Sequence, residues 1–185
     1  SRANTKRLRR RVTVAIRRPQ PLGDAHRLEG FACGDEALDR WLTTIARQAQ
    51  GAESARTYVV TPHGDQQVIG YFALAASGIQ RATSVARVGR GQPDSHLIPA
   101  LLIARLAVDQ RVQGQGVGRS LLLDAVLRCS AAADAIGARV ILVHAKDDAA
   151  AAWYRQFGFV SSPTDPYNLQ LLMKDARATL RHAER

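Results

Sequence analysis

Cysteine is nearly absent from this 185-residue chain: only Cys33 and Cys129 occur, too few for a disulfide scaffold and without the spacing of a metal site. Cys129 falls on the apolar face of a helical pattern and reads as a core thiol. Cys33 stands in a turn ahead of another helix, where packing is expected ahead of reactivity. Long apolar runs are missing too. Nothing approaches the roughly 20 residues that a membrane helix requires, and no signal peptide with a long apolar centre is visible, so the sequence reads as cytoplasmic with no membrane partner. Acidic residues are missing from one place, Ser1 to Arg18, which holds eight basic residues. Those eight explain most of the net charge of +10; without them 18 basic and 16 acidic residues remain, about +2. The body is close to neutral, so overall charge alone does not argue for nucleic acid.

What is present is enough for a core: 46% of residues are hydrophobic, in a chain of ordinary single-domain length. Val12, Val14 and Ile16 alternate with polar or small residues as in a half-buried strand, which Pro19 and Pro21 should end. Leu38, Trp41, Leu42, Ile45 and Ala49 recur at spacings of three and four, predicting a helix capped by Gly34 or Asp35. Residues 56–61 and 67–76 flank the turn-forming Pro62, His63, Gly64 and Asp65 and read as a hairpin. A loop containing Arg81, Arg87, Arg90, Gly91 and Pro93 leads into the apolar stretch 97–108. A helix is expected over 117–136 with Gly137 ending it, then a buried strand over 140–144. Asp147 can cap a short helix carrying Ala151, Trp153, Tyr154 and Phe157, and 169–173 forms a last strand before a polar tail. This order predicts an α/β (α+β) domain with a mixed sheet flanked by helices over residues 12–174. A basic arm (1–11) precedes it and a polar tail (175–185) follows.

Between the apolar stretch and the long helix lie Gln113, Gly114, Gln115, Gly116, Val117 and Gly118. Three glycines in five positions serve the backbone, either through positive φ or by letting a ligand come close. A glycine turn that opens a helix presents peptide N–H groups to anions, so a phosphate-bearing ligand is expected. Spacing excludes two readings. A P-loop needs four residues between its first glycine and Gly-Lys-Ser/Thr, and a dinucleotide fingerprint needs a glycine where Arg119 stands.

What remains is Gln/Arg, two residues, Gly, one residue, Gly/Ala, met by Gln113, Gly116 and Gly118. This resembles the pyrophosphate loop of the GCN5-related N-acetyltransferases (GNAT), and the resemblance spans about Val12 to Lys174. Asp147, Ala150, Tyr154, Gly158 and Phe159 match a second motif of that family, with Asp in a place where Asn is common. Three segments are similar to the acetyltransferase toxins of type II toxin–antitoxin modules: Leu28, Phe31, Cys33, Gly34, Leu38, Asp39, Trp41, Leu42; Gly70, Tyr71, Ala73, Leu74; and 104–109.

The resemblance implies a mostly antiparallel, twisted sheet splayed at the cofactor strand. It implies acetyl-CoA as co-substrate without a metal, held by Leu106, Ala107, Val108, Gln113, Gly114, Gln115, Gly116, Val117, Gly118, Arg119 and Asp147. It further implies acetylation of the α-amino group of aminoacyl-tRNA, blocked translation, a ribbon-helix-helix antitoxin and a homodimer. An acetyltransferase of a small amine or protein N-terminus, or a non-catalytic acetyl-CoA sensor, remains an alternative.

The chemistry supplies its own candidates. An amine must attack a thioester, so the reaction needs orientation, oxyanion stabilisation and a proton for the thiolate. Backbone N–H groups over 106–108 suit the oxyanion, and Tyr154 suits the general acid. No strong base stands out: Asp109 reads as a turn residue, and His96 and His144 have no visible partner. An α-amino group titrates near 7.7 to 8.0, so water suffices where lysine, near 10.4, would need help. Arg81, Arg87, Arg90, Arg105 and Arg155 are the candidate tRNA contacts, with Asp94 the nearby loop acid. Arg105 interrupts an apolar strand, so a buried, paired arginine is its other reading.

Overall fold

The computed structural model describes residues 15–183. Seven strands form one sheet in the order β1-β2-β3-β4-β5-β7-β6: β1 (Gln20–Pro21), β2 (Arg56–Val60), β3 (Gly70–Ile79), β4 (Ile98–Val108), β5 (Val140–His144), β6 (Val160–Ser161) and β7 (Asn168–Leu172). Every neighbouring pair is antiparallel except β4–β5. A mixed, mostly antiparallel sheet flanked by helices is therefore the fold. Of the two prolines expected to end the first strand, Pro21 is its last residue, whereas Pro19 does not stop the pairing: bonding to β2 runs over Gln20 and Pro21. An edge strand tolerates proline where its missing N–H faces away from the ladder. Val12 and Val14 lie outside the described residues.

The first helix is continuous but irregular: α1 (Glu36–Arg40), a π segment (Trp41–Ile45) and α2 (Ala46–Gly51). Asp35 is its cap, accepting from the N–H groups of Ala37 and Leu38. After β3 come a 3-10 turn (Arg81–Thr83) and α3 (Ala86–Gly89), followed later by α4 (Val117–Ile136), α5 (Asp148–Arg155) and α6 (Met173–Ala183). The segment read from sequence as a polar tail thus forms α6 over most of its length. Its Ala176 is fully buried and Leu180 packs on the main core, a spacing of four that lays one stripe against the fold.

Strand alternation divides the core. Ile141 and Val143 point to the face covered by α4, where they meet Leu121, Leu122, Val126 and Cys129. Full burial of each such aliphatic contributes about 1.5–3 kcal/mol. Val140 and Leu142 point to the opposite face, against Val88 of α3. On that second face Leu42 and Ala46 also pack against Val59, Tyr71 and Ala107.

One irregularity in β4 shapes everything that follows. Ala73 pairs with Arg105 but Leu74 pairs with Ile103, so Ala104 is an extra residue, a β-bulge. The bulge reverses the alternation. Before it, Ala100 and Leu102 face α3; after it, Arg105 and Ala107 take that face, while Leu106 and Val108 pack toward α4. The parallel pairing with β5 stops at the same point, running only from Ala100↔Val140 to Ile103↔Val143 while β4 continues to Val108.

Candidate active site in the splayed sheet

Where β4 and β5 part, the sheet opens into a cavity of about 690 Å3. Its walls are β4 from Leu102 to Val108, the glycine turn, the end of β5 and Tyr154 of α5. Val108 accepts a hydrogen bond from Gln113 Nε2 at 2.9 Å, so its peptide faces the splay and not β3. Side-to-side alternation of strand peptides puts Leu106 on the same edge. That edge offers strand N–H and C=O groups which no neighbouring strand takes up.

The glycine turn is built as its composition predicts. Gly114 and Gly116 have φ of +72° and +85°, and Gly116 caps α4. Gly118 has ordinary backbone, yet its Cα faces the cavity between Val108 and Trp153. The first-turn N–H groups of α4 have no intrahelical acceptor and converge here, a fit for phosphate oxygens. Gln113 acts as a strut, its Nε2 donating to both Cys33 O and Val108 O. Leu106, Ala107, Val108, Gln113, Gly114, Gly116, Gly118 and Arg119 all line the cavity. Three expected residues do not turn their side chains to it: Val117 is in the core, Gln115 reaches back to Arg111 O, and Asp147 caps α5 through Ala150 N–H at 2.8 Å. Helix capping and turn-forming favour these residue types without any ligand contact.

Tyr154 is buried against Trp153 and Phe159, and its hydroxyl has no hydrogen-bond partner among the described residues. Burial pushes its phenol up to about 12. It is therefore fully protonated at neutral pH and available as a donor. Asp109 is excluded as a base by its surroundings. Burial opposes its charge, but the Arg111 guanidinium (2.7 Å to each oxygen) and the N–H groups of Arg111 and Ala32 outweigh it and hold its pKa below the usual carboxylate value. Cys33 lies at the cavity rim, with burial and then its bond to Asp39 pushing the thiol up to about 11, which makes it a poor nucleophile. His144 lines the cavity at the end of β5, with no hydrogen bond to its ring among the described residues.

The arginines separate. Arg81 pairs with the nearby loop acid Asp94 at 3.0 Å, and Arg87 forms a bidentate pair with Asp175 of α6, an acid remote in sequence. Arg155 donates to Ser161. Arg105 is not buried, and among the described residues it has no acidic partner. It lies over Trp41 at 5.6 Å from the ring centroid and lines the cavity, because the bulge at Ala104 turns it toward the first helix. Leu38, Lys146 and Asp35 also line the cavity, and Trp41 stands beside it under Arg105, none of which the sequence marks as site residues. Helical periodicity assigned Leu38 and Trp41 to the core, and nothing local marks Lys146.

The sequence pattern of the acetyltransferase (GNAT) domain family matches residues 53–161, more than half of the chain. This chain belongs to the GNAT acetyltransferase family. Within that family it is 44% identical over 164 residues to a tRNA-acetylating toxin of Mycobacterium tuberculosis, covering 88% of this chain and 95% of the relative. Among solved structures it resembles the toxin AtaT complexed with acetyl-methionyl-tRNAfMet, with a TM-score of 0.80 at 27% identity over 88% of this chain and 98% of that one. It also resembles a tyrosine-to-phenylalanine variant of AtaT bound to acetyl-CoA and the C-terminus of the antitoxin AtaR. There the TM-score is 0.74 at 26% identity, over 90% of this chain and 98% of that one.

Proposed function

We propose that this acetyltransferase is a toxin that moves the acetyl group of acetyl-CoA to the α-amino group of aminoacyl-tRNA, blocking translation. The observation that carries this reading is one cavity that joins the glycine turn at the start of α4 to Tyr154, protonated and without a hydrogen-bond partner among the described residues, where the sheet divides. Phosphates of the co-substrate belong on the N–H groups of Gly114 to Arg119, and its thioester carbonyl on the free edge of β4 at Leu106 to Val108. The amine lone pair attacks the carbonyl carbon, and backbone N–H groups hold the oxyanion. As the C–S bond breaks, Tyr154 gives its proton to the sulfur, and the proton that the amine loses returns through water to the phenolate. Mass spectrometry of charged tRNA after incubation with labelled acetyl-CoA tests the proposal. Acetylated aminoacyl-tRNA is expected; labelling of a small amine or a protein N-terminus in its place would replace it.

Two further outcomes are expected. Because burial holds the Tyr154 phenol near 12, well above the substrate amine, the rate should rise with pH as that amine loses its proton. It should not fall again below about pH 10, since a general acid works in its protonated form. A descending limb near neutrality would assign the acid role elsewhere. Among the loop arginines, Arg90 is exposed and has no side-chain partner among the described residues, whereas Arg81 and Arg87 are engaged. Arg90→Ala should weaken tRNA binding and lower the salt slope by about 1, read by filter binding across a salt series, with acetyl-CoA affinity unchanged.

Residues 12–174, with α6 packed on them through Ala176 and Leu180, are the proposed catalytic domain, and the basic arm 1–11 precedes it. A ribbon-helix-helix antitoxin and a second copy of the chain are its proposed partners, and the cytoplasm, where charged tRNA and acetyl-CoA occur together, its proposed location. Among the described residues no helix is long and apolar enough to cross a membrane.

A further inference from the structure

Residues 32–35 run as a strap across the open end of the splay, from beyond the end of β4 to beyond the end of β5. Its β4 side is tied firmly. Gln110 N–H donates to Ala32 O (2.8 Å), Ala32 N–H to Asp109 Oδ2 (3.2 Å), and Gln113 Nε2 to Cys33 O (2.9 Å). Gly34, at φ +92°, lies so close to Gln110 that a Cβ would stand 2.8 Å from its Nε2. On the β5 side the hold among the described residues is one ion pair, Lys146 Nζ to Asp35 Oδ2 at 3.2 Å, between residues 111 apart in the chain. Both partners line the cavity.

Asp35 divides its two oxygens between two tasks. Oδ1 caps α1 through Ala37 and Leu38 N–H, while Oδ2 takes the lysine. Leu38, one turn further, also lines the cavity and packs with Trp41 in the second-face core, and Arg105 lies over the Trp41 ring. The ion pair therefore ties the wall made by α1 to the end of β5. We propose that Asp35 and Lys146 are positioning residues for the acceptor: their ion pair latches the strap and sets the distance between the α1 wall and β5 at which the aminoacyl end is held. The proposal rests on the aminoacyl-tRNA reading above. The lysine's bond holds Asp35 below the usual carboxylate value, and the carboxylate holds Lys146 above the usual lysine value, so the latch is charged throughout the physiological range. The ammonium is more than half exposed, and such a pair adds little to folding, so the effect of removing it belongs in acceptor kinetics and not in melting.

Asp35→Asn separates the two tasks, because asparagine caps a helix as well as aspartate does but carries no charge. It is compared with Lys146→Met, the double variant and Lys146→Arg, at saturating acetyl-CoA, with acetyl-CoA affinity measured by calorimetry. Each single charge removal should raise KM for aminoacyl-tRNA about fivefold with acetyl-CoA affinity unchanged. The double variant should match the worse single, as coupled residues do, and Lys146→Arg should restore KM to within about twofold. A silent Asp35→Asn beside an impaired Lys146→Met would assign Lys146 to direct contact and overturn the latch, as would singles whose effects multiply in the double. A wild-type protein that transfers no acetyl to charged tRNA would instead overturn the functional reading, and the latch with it.

Discussion

Tyr154→Phe is expected to slow acetyl transfer by about 10²- to 10⁴-fold, the range of a positioned general acid, while acetyl-CoA affinity stays within about twofold. The substitution removes one oxygen from a ring whose edge contacts with Trp153 (5.0 Å) and Phe159 (5.6 Å) remain. The lost hydroxyl has no hydrogen-bond partner among the described residues, so no orphaned group is left in the core and the melting temperature should hold. Single-turnover transfer, calorimetry with acetyl-CoA and thermal melting separate these three readouts. Turnover equal to wild type would remove Tyr154 from the mechanism and leave it a packing aromatic of α5.

The parts of the fold that sequence made legible are those with one dominant local signal. The long helix over 117–136 has an apolar stripe and glycines at both ends, and its limits coincide with α4. The strand over 140–144 is uninterruptedly apolar apart from its final His144, because both faces of the sheet are covered there, and it coincides with β5. The site was legible where a conformational demand shows in composition, at Gly114 and Gly116, and where motif spacing placed Tyr154. It was opaque where chain-distant residues meet. The bulge at Ala104 arises from the register between β3 and β4, so no local pattern announced that Arg105 would swing toward Trp41. Asp175 as partner of Arg87, and Lys146 as partner of Asp35, are charges whose meaning comes only from the fold. A π segment over Trp41–Ile45 likewise left the helical stripe intact in sequence while shifting the helix locally.

Gly116→Val and Gly118→Ala should both lower acetyl-CoA affinity, by about a hundredfold and at least tenfold, but with different effects on stability. At Gly116 nothing lies within 4 Å of an added Cβ, so space is not the obstacle. The obstacle is φ of +85°, a left-handed conformation costing an L-residue about 1–2 kcal/mol and a β-branched one more. Relieving that strain re-aims the first N–H groups of α4, so melting temperature and affinity should fall together. Gly118 differs, because its backbone is ordinary and a Cβ would meet Val108 Cγ2 at 3.6 Å and Trp153 Cζ2 at 3.7 Å, normal contacts that displace nothing. Alanine there replaces a helical glycine, which adds up to about 1 kcal/mol of stability through helix propensity, so the melting temperature should hold or rise. Its methyl nevertheless stands where a phosphate oxygen would approach, and losing one charge-assisted hydrogen bond costs about 1.5–3 kcal/mol, a tenfold loss or more. Weaker binding in a protein that melts no lower than wild type cannot come from a damaged scaffold. Undiminished affinity in Gly118→Ala would show that phosphate does not pack against this turn.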